Sequence, residues 1–299
     1  MRRVSCDVPH STIVWRRVKT RERQGHTVAL AVSDGPVTRR LLRTKGLDID
    51  YLELGGPHLD AVVAEAPQCR LLVHNALYDW SLAHPRALEQ QDAVARTQAV
   101  LTRTGAPWLS VHLGFSAAHV KHGEEFMHTM SPTLPREEVA RTIPATIRAL
   151  AAVLPVPLLL ENLNYCPGGA YEYVCAPDFI ARTLEETGAS LLLDIAHAQV
   201  SAERLGLSFE QYVGRLPLER VREVHISGTR PRNGMIFDAH EELLEDQYAL
   251  LVSVLRQTSP AVLTLEYQGD EALLLRQLER LRALLAARVD DTVNDAPIL

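Results

Sequence analysis

Eight short segments of this 299-residue chain are apolar on successive residues, and amphipathic helical stretches separate most of them. The runs fall at 27–33 (TVALAVS), 50–54 (DYLEL), 69–74 (CRLLVH), 107–113 (PWLSVHL), 157–162 (PLLLEN), 190–195 (SLLLDI), 221–227 (VREVHIS) and 262–267 (VLTLEY). A strand with one face in water alternates in polarity. One that is apolar throughout is covered on both faces, as in a parallel sheet flanked by helices. Helical periodicity appears at 38–44, 88–104, 136–153, 177–187, 209–215, 246–257 and 271–287, the last with leucines at i, i+3 and i+4. Eight such units in series predict a single α/β domain, a (β/α)8 TIM barrel. An open, doubly wound sheet is the alternative, but neither G-x-G-x-x-G nor G-x-x-x-x-G-K-[ST] follows any run.

The barrel is expected over 27–287, preceded by a basic, flexible extension (1–26) and followed by a loose tail (288–299). The extension shows neither the apolar core of a secretory signal nor a small-residue cleavage site. A composition of 46% hydrophobic and 23% charged residues excludes disordered and collagen-like chains. The four cysteines (Cys6, Cys69, Cys166, Cys175) lack C-x-x-C spacing and are too sparse for a disulfide scaffold. No apolar run reaches the roughly 18 residues of a membrane helix. A soluble cytoplasmic enzyme is the expectation.

In a parallel barrel the reactive groups sit where strands end and βα-loops begin. Here the third run ends at His74, the fourth at His112 and the fifth at Glu161. The sixth ends LLLDIAH, giving Asp194 and His197. The seventh ends at His225, with Asp238 and His240 in the loop after it, and the eighth ends at Glu266. Six consecutive units thus aim nine residues at one mouth, every one of them His, Asp or Glu. Four carboxylates without counter-charge would have to desolvate against one another, and divalent cations remove that conflict. Mixed nitrogen and oxygen donors suit Zn, Fe(II) or Mn rather than the all-oxygen shells of Ca or Mg. Nine ligands are too many for one ion, so two or three ions sharing bridging carboxylates are predicted.

Other residues near the mouth are candidates for contact with substrate. HNALYDW (74–80) supplies Tyr78 and Trp80 beside the first histidine, and TRPRN supplies Arg230 as an anchor for a substrate carboxylate. The stretch FSAAHVKHGEEFMHTMSPTLP (115–135) is too long for a plain βα-turn and is read as a substrate-covering loop carrying His119 and Lys121.

This order of ligands resembles that of the trinuclear-zinc endonuclease IV enzymes, within the xylose-isomerase-like barrel superfamily. The segments around it are more similar to a sister family, the multinuclear non-heme iron-dependent oxidases. ENLNY (161–165), LLLDIAHAQVSAERLG (191–206), LPLERVREVHISG (216–228), DAHEELLEDQYALL (238–251) and LEYQGD (265–270) carry that resemblance, which covers about residues 27–285. It implies two or three irons and dioxygen, a peptide or small thiol substrate with cysteine the common target, and a partner protein that delivers the peptide. His74 and His112 would then hold one iron. Glu161 would bridge to a second held by Asp194, His225 and Glu266, these four being the catalytic set, and His197, Asp238 and His240 would form a third site. The sequence departs from the resemblance at His197, where many relatives carry Asn, and in YLELGGPH (51–58), where they show an acidic residue followed by Asn. The second departure bears on Glu53 and His58.

Two other activities fit the same donors, namely zinc-dependent phosphodiester cleavage of the endonuclease IV kind and metal-dependent sugar isomerisation or epimerisation, for which Lys121 is the one lysine on a mouth loop. The net charge of −6 bears on the first. Residues 1–26 hold seven basic against two acidic residues, a surplus of five, so the remainder carries −11. A body that acidic, without a basic groove interleaved with aromatics, disfavours a nucleic-acid substrate.

Overall fold

The computed structural model describes residues 28–294 apart from 45, 56–68, 76–80, 85–90, 123–126, 167 and 233. Its barrel strands are β1 (Ala29–Ser33), β2 (Tyr51–Gly55), β3 (Arg70–His74), β4 (Leu109–His112), β7 (Leu158–Glu161), β8 (Ser190–Asp194), β9 (Val221–Ile226) and β12 (Val262–Leu265). Each pairs in parallel with the next, and β12 closes onto β1. The eight runs read from the sequence are these eight strands. The other strands form two antiparallel hairpins, β5 (Val120–His122) with β6 (Met127–Thr129) and β10 (Gly228–Arg232) with β11 (Met235–Glu241).

Helices cover the outside, and the pleat decides which residues meet them. Successive side chains of a strand point to opposite faces. Leu30, Val32, Leu52, Leu54, Leu109, Val111, Leu158, Leu160, Leu263 and Leu265 belong to one large cluster with the helical leucines. The alternate positions form a second, smaller cluster of Ala31, Leu72, Trp108, Leu159, Leu192 and Val262, which plugs the barrel floor. One pleat repeat further along the same strands stand Ser33, His74, Ser110, Glu161, Asp194 and Thr264. The unusual residues of the sequence are therefore the upper inward layer of a packed barrel.

Three segments differ from the sequence expectation. Ile195–Arg204 is a helix that begins directly at the end of β8, with no intervening turn residues. Asp194 supplies its N-cap, accepting the His197 backbone N–H at 2.6 Å. The segment IAHAQVSA is buried almost all round, so the amphipathic stripe that marks the other helices is missing. His197 therefore lies in a first helical turn rather than a loop. Likewise Asp238 and His240 are on β11, not in a loop. Gly228 permits this hairpin, because a Cβ there would meet the carbonyl oxygens of Glu241 and Glu242 at 2.4 Å. The expected covering loop at 115–135 is also partly ordered as β5 and β6.

Gly114, two residues beyond β4, has φ +130 and lies against Ile143, whose Cδ1 would be 2.7 Å from an added Cβ. Gly114→Ala is expected to lower unfolding stability by about 2 kcal/mol through backbone strain and overpacking, read as a shifted urea midpoint. Among the described residues no helix is long and apolar enough to cross a membrane.

Candidate metal centre

Seven of the nine candidate ligands line a cavity of about 1030 Å³ at the carboxyl-terminal mouth of the barrel. Asp194 and His225 are fully buried at its base, whereas the His240 side chain keeps 47% of its exposure at the rim. Glu161 is central. Its Oε2 lies 3.3 Å from Nε2 of both His74 and His112, and its Oε1 lies 3.2 Å from His197 Nδ1. Glu266 reaches His225 Nδ1 at 3.6 Å and His240 Nε2 at 3.5 Å, and Asp238 Oδ2 faces His197 Nε2 at 3.3 Å.

Most of these separations are long for hydrogen bonds. They match the spacing of neighbouring donors around one ion, since ligands about 2.1 Å from a metal stand about 3.0–3.4 Å apart. The His74, His112 and Glu161 set and the Asp194, His225 and Glu266 set each place one donor per residue close enough together to hold an ion. Glu161 Oε2, Asp194 Oδ2 and His225 Nδ1 are buried without a hydrogen-bond partner, half of the six such atoms among the described residues. An orphaned carboxylate oxygen in a closed core is costly. Cations at these positions would satisfy all three, so the donor set fits a metal that takes nitrogen and oxygen ligands.

Surrounding groups decide which ring nitrogen each histidine offers. His74 Nδ1 lies 3.0 Å from Ser110 Oγ, which leaves Nε2 toward Glu161. His197 Nδ1 donates to the Asn162 carbonyl at 2.9 Å, which turns Nε2 to Asp238. The Asn162 side chain brackets the Asp194 backbone, accepting its N–H at 2.9 Å and donating to its carbonyl at 3.0 Å. Ser227 Oγ donates to Asp238 Oδ1 at 2.5 Å. His240 has φ 48, a left-handed conformation unusual for a residue with a Cβ, and in it the ring meets both Asp238 and Glu266.

Electrostatics without metal show how strained the set is. Burial takes His74 down to about 3 and lowers His112, in each case against the pull of Glu161. Burial likewise pushes Asp194 up to about 7, with Asp238 and Glu161 adding to it against His197. Glu161 is held low although burial opposes this, because His74, His112 and His197 surround it. His240 rises to about 10, chiefly through Asp238. Protons are thus shared out among groups that cannot all ionise, which is the role bound cations take over.

A family model described as "RiPP precursor modification enzyme MbnB/TglH/ChrH" matches residues 50–286. The chain belongs to this family. A UPF0276 protein of Paraburkholderia phytofirmans is 29% identical over 204 residues, covering 68% of this chain and 63% of that protein. One from Caulobacter vibrioides is 28% identical over 180 residues, covering 60% and 63%. The matched region thus spans under two thirds of these relatives' length. Among solved structures, a D-tagatose 3-epimerase-like protein superposes with TM-score 0.61 at 14% identity, covering 89% of this chain and 100% of that one. A family 2 AP endonuclease from Brucella melitensis superposes with TM-score 0.51 at 18% identity, covering 82% and 95%. Similarities this low establish the shared barrel fold and nothing about chemistry.

The candidates for substrate contact are placed differently. Tyr78, Trp80 and His58 lie outside the described residues. His119 and Lys121 are exposed at and beside β5, and neither lines the cavity. Arg230 does line it, but its guanidinium is committed to Glu241 (2.8 Å) and to the carbonyls of Thr229 and Glu242 (2.7 and 2.8 Å), so it clasps the β10–β11 hairpin. Cys166 lines the cavity. Cys175 is fully buried, and burial pushes its thiol far above the usual range. Glu53, Ser110, Asn162 and Glu223 contribute to the site without having been singled out as site residues. All but Asn162 share the inward register of the ligand-bearing strands, which was the available signal.

Proposed function

We propose that the protein is a multinuclear non-heme iron oxidase that uses dioxygen to oxidise a cysteine-bearing peptide, in keeping with a family that modifies RiPP precursors. The observation that carries this reading is the cluster of nitrogen and oxygen donors around Glu161, with three orphaned donor atoms at the barrel mouth. His74 and His112 with Glu161 would hold one iron and Asp194, His225 and Glu266 a second, Glu161 bridging. His197, Asp238 and His240 would hold a third. Iron bound there would supply one-electron redox chemistry between substrate sulfur and dioxygen.

The chain's own residues set the access. Peptide enters from the His112 and His240 side, where ligand atoms face the cavity, because the Asp194 and His225 side is closed by the barrel floor. The β10–β11 ribbon walls the cavity through Pro231 and Phe237 and keeps bulk water from the reacting sulfur. A cavity of about 1030 Å³ admits a few residues of an extended peptide.

Anaerobic purification, iron analysis and oxygen uptake with cysteine-containing peptides test the reading. Two to three irons per chain and peptide-dependent oxygen consumption are expected, and a colourless zinc protein of full activity would overturn it. Ser110→Ala removes the partner of His74 Nδ1. It is expected to weaken binding of one ion by about 10- to 100-fold, measured by metal titration against a competing chelator, with the fold unchanged by circular dichroism.

A further inference from the structure

Beneath the candidate centre, on the side of His225 that faces away from it, two buried carboxylates meet one imidazole nitrogen. Glu53 Oε1 is 3.0 Å and Glu223 Oε1 3.7 Å from His225 Nε2. Glu223 is fully buried and held from below. It accepts the Trp108 indole N–H at 2.8 Å and the Thr264 hydroxyl at 2.9 Å. An indole N–H only donates and an ionised carboxylate only accepts, so this floor is built to present acceptors upward. With Glu53 Oε1 the acceptor at hydrogen-bond distance, Nε2 carries the ring proton. The opposite atom, Nδ1, is then bare, and it is the one without a hydrogen-bond partner, turned toward Glu266 and Glu161.

We propose that Glu53 is a positioning residue that accepts the Nε2 proton of His225 and so locks the ring in the tautomer offering Nδ1 to an ion shared with Asp194 and Glu266. The inference rests on the metal reading above. Glu223, fixed by Trp108 and Thr264, stands beneath the same nitrogen at 3.7 Å, and the stack Trp108, Glu223, His225 rises from the barrel floor toward the candidate centre. A competing arrangement has Glu53 as a ligand itself, since Glu53, His74 and His225 are also close enough to hold an ion. That arrangement needs Nε2 bare and would leave Nδ1 protonated with no partner at hydrogen-bond distance.

The test uses the full chain with Glu53→Gln, Glu53→Ala and Glu223→Gln. It reads metal stoichiometry, affinity against a competing chelator and, in zinc-loaded protein with labelled histidine, the ring N–H resonance of His225. Wild type is expected to show a strongly downfield Nε2 proton. Glu53→Gln, nearly the same shape and still an acceptor, keeps the full stoichiometry and moves that resonance upfield. Glu53→Ala weakens one ion by about 10- to 100-fold and leaves the His74 and His112 ion at wild-type affinity. Unchanged affinity and an unchanged His225 resonance in both variants overturn the proposal, and so does the loss of one whole ion in Glu53→Gln, which makes Glu53 a ligand. Should Glu53→Ala fail to fold, Glu53→Gln alone decides between these results. A wild type that binds no ion sinks the metal reading, whereas the His225 tautomer can still be read in metal-free protein, so the two failures are distinguishable.

Discussion

Glu161→Gln is expected to abolish peptide-dependent oxygen consumption, by more than about 100-fold, and to cost the protein at least one ion while leaving the barrel folded. The side chain keeps its volume at the buried end of β7, so the core around it is undisturbed. What changes is donor capacity. A carboxylate offers lone pairs from two oxygens, and here both are in use, Oε2 against His74 and His112 and Oε1 against His197. An amide replaces one of these oxygens with NH2, which has no lone pair to give a cation. Because Glu161 would serve both the ion of His74 and His112 and the ion it bridges to at Asp194, His225 and Glu266, one substitution strikes two sites. Elemental analysis and an oxygen electrode measure both effects. A variant retaining full iron and activity would show that Glu161 bridges nothing.

How much of this could be read from the chain alone depends on which physical rule places each residue. The barrel strands were legible because burial on both faces leaves an unmistakable apolar run, and their ends located His74, His112, Glu161, Asp194, His225 and Glu266 without any knowledge of packing. Asp238 and His240 were found as residues but misplaced as structure. The segment MIFDAHE alternates too weakly to announce a strand, and its pairing with β10 depends on a close approach only Gly228 allows. The helix after β8 was hidden because a segment buried all round has no periodic stripe. Glu53 sat in plain view as a carboxylate in the middle of an apolar strand. Its meaning needed the ring of His225 from a distant part of the chain, a contact that strand periodicity cannot predict. Arg230 shows the reverse error: position near the mouth suggested a substrate anchor, whereas its hydrogen bonds tie down a hairpin.

Stripping metal from the protein is expected to lower its melting temperature by about 10–20 °C. An ion present at a hundred times its dissociation constant stabilises the native state by about 2.7 kcal/mol, so two ions contribute about 5 kcal/mol. In a domain of this size each kcal/mol is worth about 2–4 °C. Protonated imidazoles such as His240 offset only part of the repulsion in the metal-free cluster, for Asp194 is fully buried with Oδ2 unpartnered and its carboxyl is pushed up to about 7 by burial and by Asp238 and Glu161. Asp194→Asn tests that second contribution directly. It removes a buried anion while retaining an Oδ1 that can accept the His197 N–H as helix cap. The variant is therefore expected to melt above metal-free wild type and below the metal-loaded protein, with a much smaller response to chelator. Scanning calorimetry of both proteins with and without chelator gives the four temperatures. A wild type whose melting ignores chelation would mean that the cluster holds its charges with protons alone.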